Sequence, residues 1–363
     1  MADATDSKSV GGNLMRVRLS PRASAMFCCV PLALTQLSSA QLTLRGTVSA
    51  AESGEPLGFS IVTLYPGFGK RFTDARGGFS IDIAQPGTYV LSVRQIGYAP
   101  LDTQLVIAGD SATSVRIVLH HLAIDLPPVT ISAGQCTNPG APDSSDRTLR
   151  AVFDQLQESA RRFELLADTY PFRYTLELTD RIVNQRGDTG PPVVRRLQFS
   201  SSDNRHHPYA VGRVVERAWG AWGSPDSVLV IHSAELEDLG NPDFVASHCF
   251  HLVGRDTIGG ETLVRIDFEP ATRIGSADMA GAAYLDSTTY ELRYTTTSLT
   301  RPERSALLNV RAVSFRTRFR AIARNVSLQD SLSAITLYRF GQAPRIQTQR
   351  TVDVRFRRQA PPP

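Results

Sequence analysis

Long hydrophobic runs are nearly missing from this 363-residue chain. Beyond the first 40 residues no segment of some 18 apolar residues occurs, so no transmembrane helix is expected there. Long basic runs are missing too, although the formal net charge is +4. Arginine supplies nearly all of the positive charge and is spread along strand-like segments. A solvated arginine surface is therefore expected, and a nucleic-acid partner is not. There is no G-x-S-x-G, no P-loop and no G-x-G-x-x-G. These absences argue against a serine hydrolase of the elbow type and against nucleotide or dinucleotide enzymes. Only four cysteines and two tryptophans occur. Cys28 and Cys29 fall within the first 40 residues, which leaves Cys136 and Cys249 for the rest of the chain.

What is present is ordinary globular composition, 42% hydrophobic and 20% charged, at a length that suggests two domains. The segment "MRVRLSPRASAMFCCVPLALTQLSSA" places Arg16, Arg18 and Arg22 before an apolar run from Ala23 to Leu34. It closes on Ser38-Ser39-Ala40, a small-x-small cleavage pattern. This order of features predicts a secretory signal over residues 1–40, with Met15 as a candidate start and cleavage between Ala40 and Gln41. The apolar run is too short for a membrane span, and Pro31 interrupts it. The expected location is outside the inner membrane: periplasmic, outer-membrane-associated or extracellular.

Residues 41–133 read as short strands separated by turns. "FSIDI", "TYVLSV" and "SVRIVL" alternate apolar and polar residues at period two, the mark of a sheet with one buried face. "ESGEP", "DARGG", "QPG" and "AGDS" between them are turn chemistry. About seven strands in some 90 residues predict a two-sheet sandwich. At Thr73-Asp74 the Asp74 carboxylate is placed to accept backbone N–H bonds, and Gly77 or Gly78 to supply a positive φ. Asp74 alone is too few carboxylates for a cation site.

The stretches "GTVSAAESGEPLGFSIVTL", "TDARGGFSIDI", "PGTYVLSVRQIGY" and "VRIVL" resemble the carboxypeptidase-regulatory-like domain, a transthyretin-like β-sandwich. The resemblance covers 42–131. It implies a non-catalytic accessory that binds carbohydrate or serves as a folding or docking module.

A Pro/Gly/Ser-rich linker follows at 134–145. Leu149, Val152, Phe153, Leu156, Ala160, Phe163 and Ala167 then recur at i, i+3, i+4, i+7 spacing. This predicts a helix capped by Ser145 or Asp146, with Arg150, Gln157, Glu158, Arg161 and Arg162 on its polar face. From Tyr170 the strand pattern returns for about eight to ten antiparallel strands. The second domain is drawn at 146–356, with a disordered tail at 357–363. The fold class expected is mostly β: a seven-stranded sandwich, then a helix and an antiparallel β-rich domain. About 230 residues after the linker are too few for a plug and a large receptor barrel. "SPDSVLVIHSAEL", "FVASHCFHL", "VRIDFEPA" and "GAAYLDSTTYELR" resemble exported bacterial proteins that carry the regulatory-like domain first. The G-x-x-Y-L-D hairpin is also similar to the open half-barrel of periplasmic lipoprotein carriers, which cover a concave hydrophobic face with a helix.

Candidate chemistry is sparse. His232-Ser-Ala-Glu235 is an H-x-x-E, with His248 and His251 downstream, the residue types zinc prefers. Strand alternation puts His248 and Phe250 on one face and Cys249 and His251 on the other, which weakens a metal site. No metal, no cofactor and no catalytic residue are expected, a zinc hydrolase being the alternative. In an oxidising compartment Cys249 has one available partner, Cys136, and a disulfide is expected. Trp219 and Trp222 in a glycine-rich loop are the candidate ligand contacts, core packing being the alternative role. Arg186-Gly187-Asp188 reads as a turn. The resulting expectation is an exported, non-catalytic envelope accessory that binds glycan, protein or lipid. A lipid carrier with an apolar face under the 146–167 helix is a further alternative.

Overall fold

The computed structural model describes residues 42–109, 113–124, 135–184, 186–187, 190–201, 208–219, 227–323 and 325–357. The signal segment with its Ala40–Gln41 cleavage point, Trp222, Asp188 and the tail beyond Arg357 lie outside the described residues.

The first seven strands are β1 (Leu42–Ala50), β2 (Ile61–Tyr65), β3 (Phe68–Phe72), β4 (Gly78–Ile83), β5 (Gly87–Arg94), β6 (Leu101–Ile107) and β7 (Thr113–Leu119). They form two facing sheets, β4-β1-β7 and β3-β2-β5-β6. The β1–β7 pair is parallel and the other pairs are antiparallel. Period-two alternation works as the sequence implies. Phe79, Ile81 and Ile83 are buried while Ser80 and Asp82 between them are exposed. Leu44, Val48, Leu64, Ile81, Leu91 and Leu119 make the centre of the sandwich core. In the 73–78 turn Asp74 Oδ1 accepts from Arg76 N at 2.9 Å and Gly78 N at 2.7 Å. Gly77 carries the positive φ, +72°, and a Cβ there would sit 2.3 Å from Val48 O.

Helix α1 (Arg147–Thr169) begins at Asp146, whose Oδ1 accepts from Leu149 N at 2.9 Å. The strands that follow are β8 (Phe172–Ile182), β9 (Val193–Ser200), β10 (Val215–Trp219), β11 (Ser227–Ile231), β12 (His248–Ile258), β13 (Glu261–Pro270), β14 (Asp278–Asp286), β15 (Leu292–Thr300), β16 (Val310–Ala323), β17 (Val326–Tyr338) and β18 (Arg345–Phe356). A short helix α2 (Pro242–Ser247) leads into β12. Nine strands make one antiparallel sheet in the order β12-β13-β14-β15-β16-β17-β18-β8-β9. β12 to β18 follow as a meander, and the early β8–β9 hairpin pairs onto the last strand. β10 and β11 form a separate hairpin.

The apolar stripe of α1 lies on this sheet, against β12, β13 and β17. Val152, Phe153, Leu156 and Ala160 are fully buried among Phe250, Val264, Ile266 and Phe315. Phe153 meets Phe250 edge-on, ring centroids 4.7 Å apart. The polar face, on which the sequence reading places Glu158 and Arg162, is only partly open to water. Both are buried, because that side of α1 faces the sandwich rather than water. Arg162 donates to Phe59 O at 2.5 Å, Arg94 O at 3.2 Å and Gln95 Oε1 at 2.8 Å. Its Nε lies 3.4 Å from Glu158 Oε1. Gln155 Oε1 accepts from Gly97 N at 2.8 Å. Around these polar ties Phe59, Ile61 and Phe72 of the sandwich pack with Leu166, Phe172, Val326 and Leu328.

Candidate functional site

The inner face of the nine-stranded sheet is longer than α1 can cover. The pairing register lays the inward-facing side chains of its far half out in rows. One row runs Phe315, Ala334, Gln347, Asp180, Val193 across β16, β17, β18, β8 and β9. The next runs Thr317, Leu332, Gln349, Leu178, Arg195. In the first row the β16–β17 part, Phe315 and Ala334, is apolar and the β18–β8 part, Gln347 and Asp180, is polar. Apolar residues on β16–β17 extend the core under α1, whereas Gln347, Gln349 and Asp180 line the open part of the floor.

The β10–β11 hairpin stands over this floor. Leu229 and Ile231 pack partly on the core cluster, and Val228 to Ile231 line the gap. Between hairpin and sheet lies a cleft of about 440 Å³. That volume falls within the roughly 300–1,000 Å³ common for small-molecule sites. Arg345 and Asp180 form a two-pronged ion pair at its polar end, with Arg345 Nε 2.8 Å from Asp180 Oδ1. No residue of α1 lines the cleft. The space beneath the helix is filled, so the concave face expected there is displaced to the far half of the sheet.

The residues singled out in the sequence are dispersed. Among the described residues no group of three or more His, Cys, Asp or Glu is placed to hold a metal. His232 Nε2 lies 3.7 Å from Glu216 Oε2. Glu235 N donates to Asp238 Oδ2 at 2.9 Å. His251 Nε2 lies 3.6 Å from Glu269 Oε1. His248 is fully buried, stacked on the Phe244 ring at 3.9 Å. Its Nδ1 is 2.8 Å from Phe244 O and its Nε2 3.0 Å from Met279 O. Asp278 Oδ1 is 3.6 Å from that Nε2, and Asp278 Oδ2 accepts from Tyr209 Oη at 2.7 Å. Burial pushes the His248 pKa down, against the pull of Asp278 and the two carbonyls. Burial, followed by the Asp278 bond, pushes the Tyr209 phenol up. Cys136 and Cys249 are bonded, with Cα atoms 5.5 Å apart. Thr272 N and Oγ1 both donate to Cys136 O at 2.8 Å, which fixes the linker on the sheet. Trp219 ends β10, at the hairpin, with its side chain outside the described set.

Sequence reasoning missed the cleft. Its floor draws two to four residues from each of five strands, and only the register brings them together. "VLVI" in β11 was the one local signal: a continuous apolar run where alternation prevails elsewhere.

Residues 43–120 match the carboxypeptidase regulatory-like domain. No curated protein matches the chain. Among solved structures, a LolA superfamily protein from Nitrosomonas europaea aligns at 7% identity, covering 57% of this chain and 94% of that one, with a TM-score of 0.31. A DUF1329 family protein from Desulfovibrio piger aligns at 11% identity over 58% of this chain and 93% of its own, with a TM-score of 0.32. Scores this low establish no shared function.

Proposed function

We propose that this chain is a non-catalytic binding protein of the cell envelope, and that its cleft holds one single-chain amphipathic lipid. The observation that carries this reading is the graded floor. Val313, Phe315, Leu332 and Ala334 offer an apolar bed for an acyl chain beneath β11. Gln347, Gln349 and the Arg345–Asp180 pair offer hydrogen bonds to a polar head at the other end. A glycan would leave the apolar half without contacts to make. The export signal read at residues 1–40 and the Cys136–Cys249 bond support an oxidising compartment bounded by lipid. The regulatory-like sandwich takes the accessory part: its Phe59, Arg94 and Gln95 hold Arg162 of α1, and α1 braces the sheet that floors the cleft.

Displacement of cis-parinaric acid by fatty acids and lysolipids of graded chain length tests the reading. Each methylene removed from water is worth about 0.8 kcal/mol. Shortening the chain by two carbons should therefore weaken binding about tenfold or slightly more. Ala334→Trp, which fills the apolar bed, should abolish uptake. No displacement, or displacement indifferent both to chain length and to A334W, would refute the assignment.

A further inference from the structure

One end of the nine-stranded sheet carries apolar side chains that no element among the described residues covers. Phe340 is 90% exposed and Leu308 is 78% exposed. Ile182 and Val193 stand out beside them, at 61% and 63%. The pairings put all four at the same end. Tyr338 pairs with Val310, Arg345 with Ile182 and Asp180 with Val193. Arg339 N donates to Asn309 O at 2.7 Å, and Asn309 Nδ2 donates to Gln342 Oε1 at 2.9 Å. Val183 N donates to Pro344 O at 2.8 Å. The 301–309 loop, the 339–344 turn and the end of β8 are thus tied into one tip.

Two features make the tip more than scattered surface. Phe340 has φ +58° and Gly341 φ +72°, so a bulky aromatic sits in a conformation that favours glycine, at a position where its side chain points into solvent. The charge in these segments is also predominantly positive. Segments 180–195, 301–311 and 338–345 hold eight arginines against Asp180, Asp188 and Glu303. Exposed apolar side chains on arginine-rich segments match the boundary between acyl chains and anionic headgroups. The tip is also continuous with the cleft, whose lining includes Leu307, Asn309, Tyr338 and Val193.

We propose that this end of the sheet docks on an anionic lipid bilayer, inserting Phe340 and Leu308 below the headgroups and setting the cleft mouth against the membrane. The inference deepens the lipid-binding reading and rests on it for the cargo that crosses the mouth. Docking is a separate event from uptake, with its own residues.

Flotation of the exported protein with phosphatidylglycerol–phosphatidylcholine vesicles tests it, beside vesicles of phosphatidylcholine alone. The wild type should bind the anionic vesicles, and added salt should weaken that binding. Leu308→Ser with Phe340→Gly should lower the bound fraction at least tenfold. Glycine accepts the Phe340 backbone conformation, so Phe340→Gly alone should melt no lower than wild type and still lose most of the binding. Both variants should bind cis-parinaric acid in solution and release it to fatty acids as wild type does, while A334W should float with vesicles yet fail in uptake. Absence of wild-type flotation, or flotation unchanged by the double variant, overturns the docking proposal. A wild-type dimer in sedimentation velocity that L308S/F340G dissolves would also overturn it, by giving the tip to a second copy. Wild-type uptake failing while tip-dependent flotation persists would sink the cargo reading and leave docking standing.

Discussion

Arg162→Met is the sharpest test of how the sandwich is joined to the rest. The guanidinium is fully buried and serves Phe59 O, Arg94 O, Gln95 Oε1 and the Glu158 carboxylate. Methionine keeps the apolar stem and removes every donor. Breaking a buried ion pair from one side costs about 3–5 kcal/mol. Orphaned buried acceptors add about 1–3 kcal/mol each when relaxation and water do not rescue them. A loss of about 4–6 kcal/mol is expected by urea denaturation. Arg162→Met with Glu158→Met should cost less than the single change, because no buried charge is then left alone, and the coupling should exceed about 2 kcal/mol. The pH dependence has a definite sign. Burial already raises the Glu158 pKa, with Arg162 and Arg161 opposing. Without Arg162 it rises further. A group whose folded pKa lies above its unfolded value stabilises below the unfolded pKa and loses that contribution as pH rises through the folded one. The deficit of R162M should therefore be smaller at acid pH than at pH 8. A single-variant cost under about 1 kcal/mol, or a double variant no better than the single, would refute the account.

Three further outcomes are expected. Removing the disulfide by Cys136→Ser and Cys249→Ser opens a closure of 113 residues, for which chain entropy gives about 5 kcal/mol as an upper value; a lowered urea midpoint checks it, and thiol titration of residues 41–363, denatured without reductant, should find no free thiol. Gly77→Ala puts a methyl against Val48 O at a φ of +72° and should cost more than about 1 kcal/mol, whereas Gly78→Ala, whose φ is not positive, should cost less. Asp74→Ala removes the acceptor of Arg76 N and Gly78 N and should lower the melting temperature by several degrees, about 1–2 kcal/mol of stability.

The sandwich was legible because its rules are local. Alternation at "FSIDI", the Asp74 turn and the glycine after it act within a few residues, and the motifs that resemble the regulatory-like domain are built from them. The span of α1 and its Asp146 cap were legible for the same reason, since a 3.6-residue period and a capping side chain need no distant partner. The fate of the helix's polar face was not. Nothing near Arg162 in sequence tells whether water or the carbonyls of Phe59 and Arg94, some 103 and 68 residues away, will receive it. The metal question turned on tertiary partners too: His232, His248 and His251 each found a different neighbour. Most of all, the cleft and the tip are products of register. Phe315, Ala334, Gln347, Asp180 and Val193 become one row only after β8 crosses the chain to pair with β18. Side-chain alternation decides which residues face inward, but only the completed sheet decides which of them stand side by side.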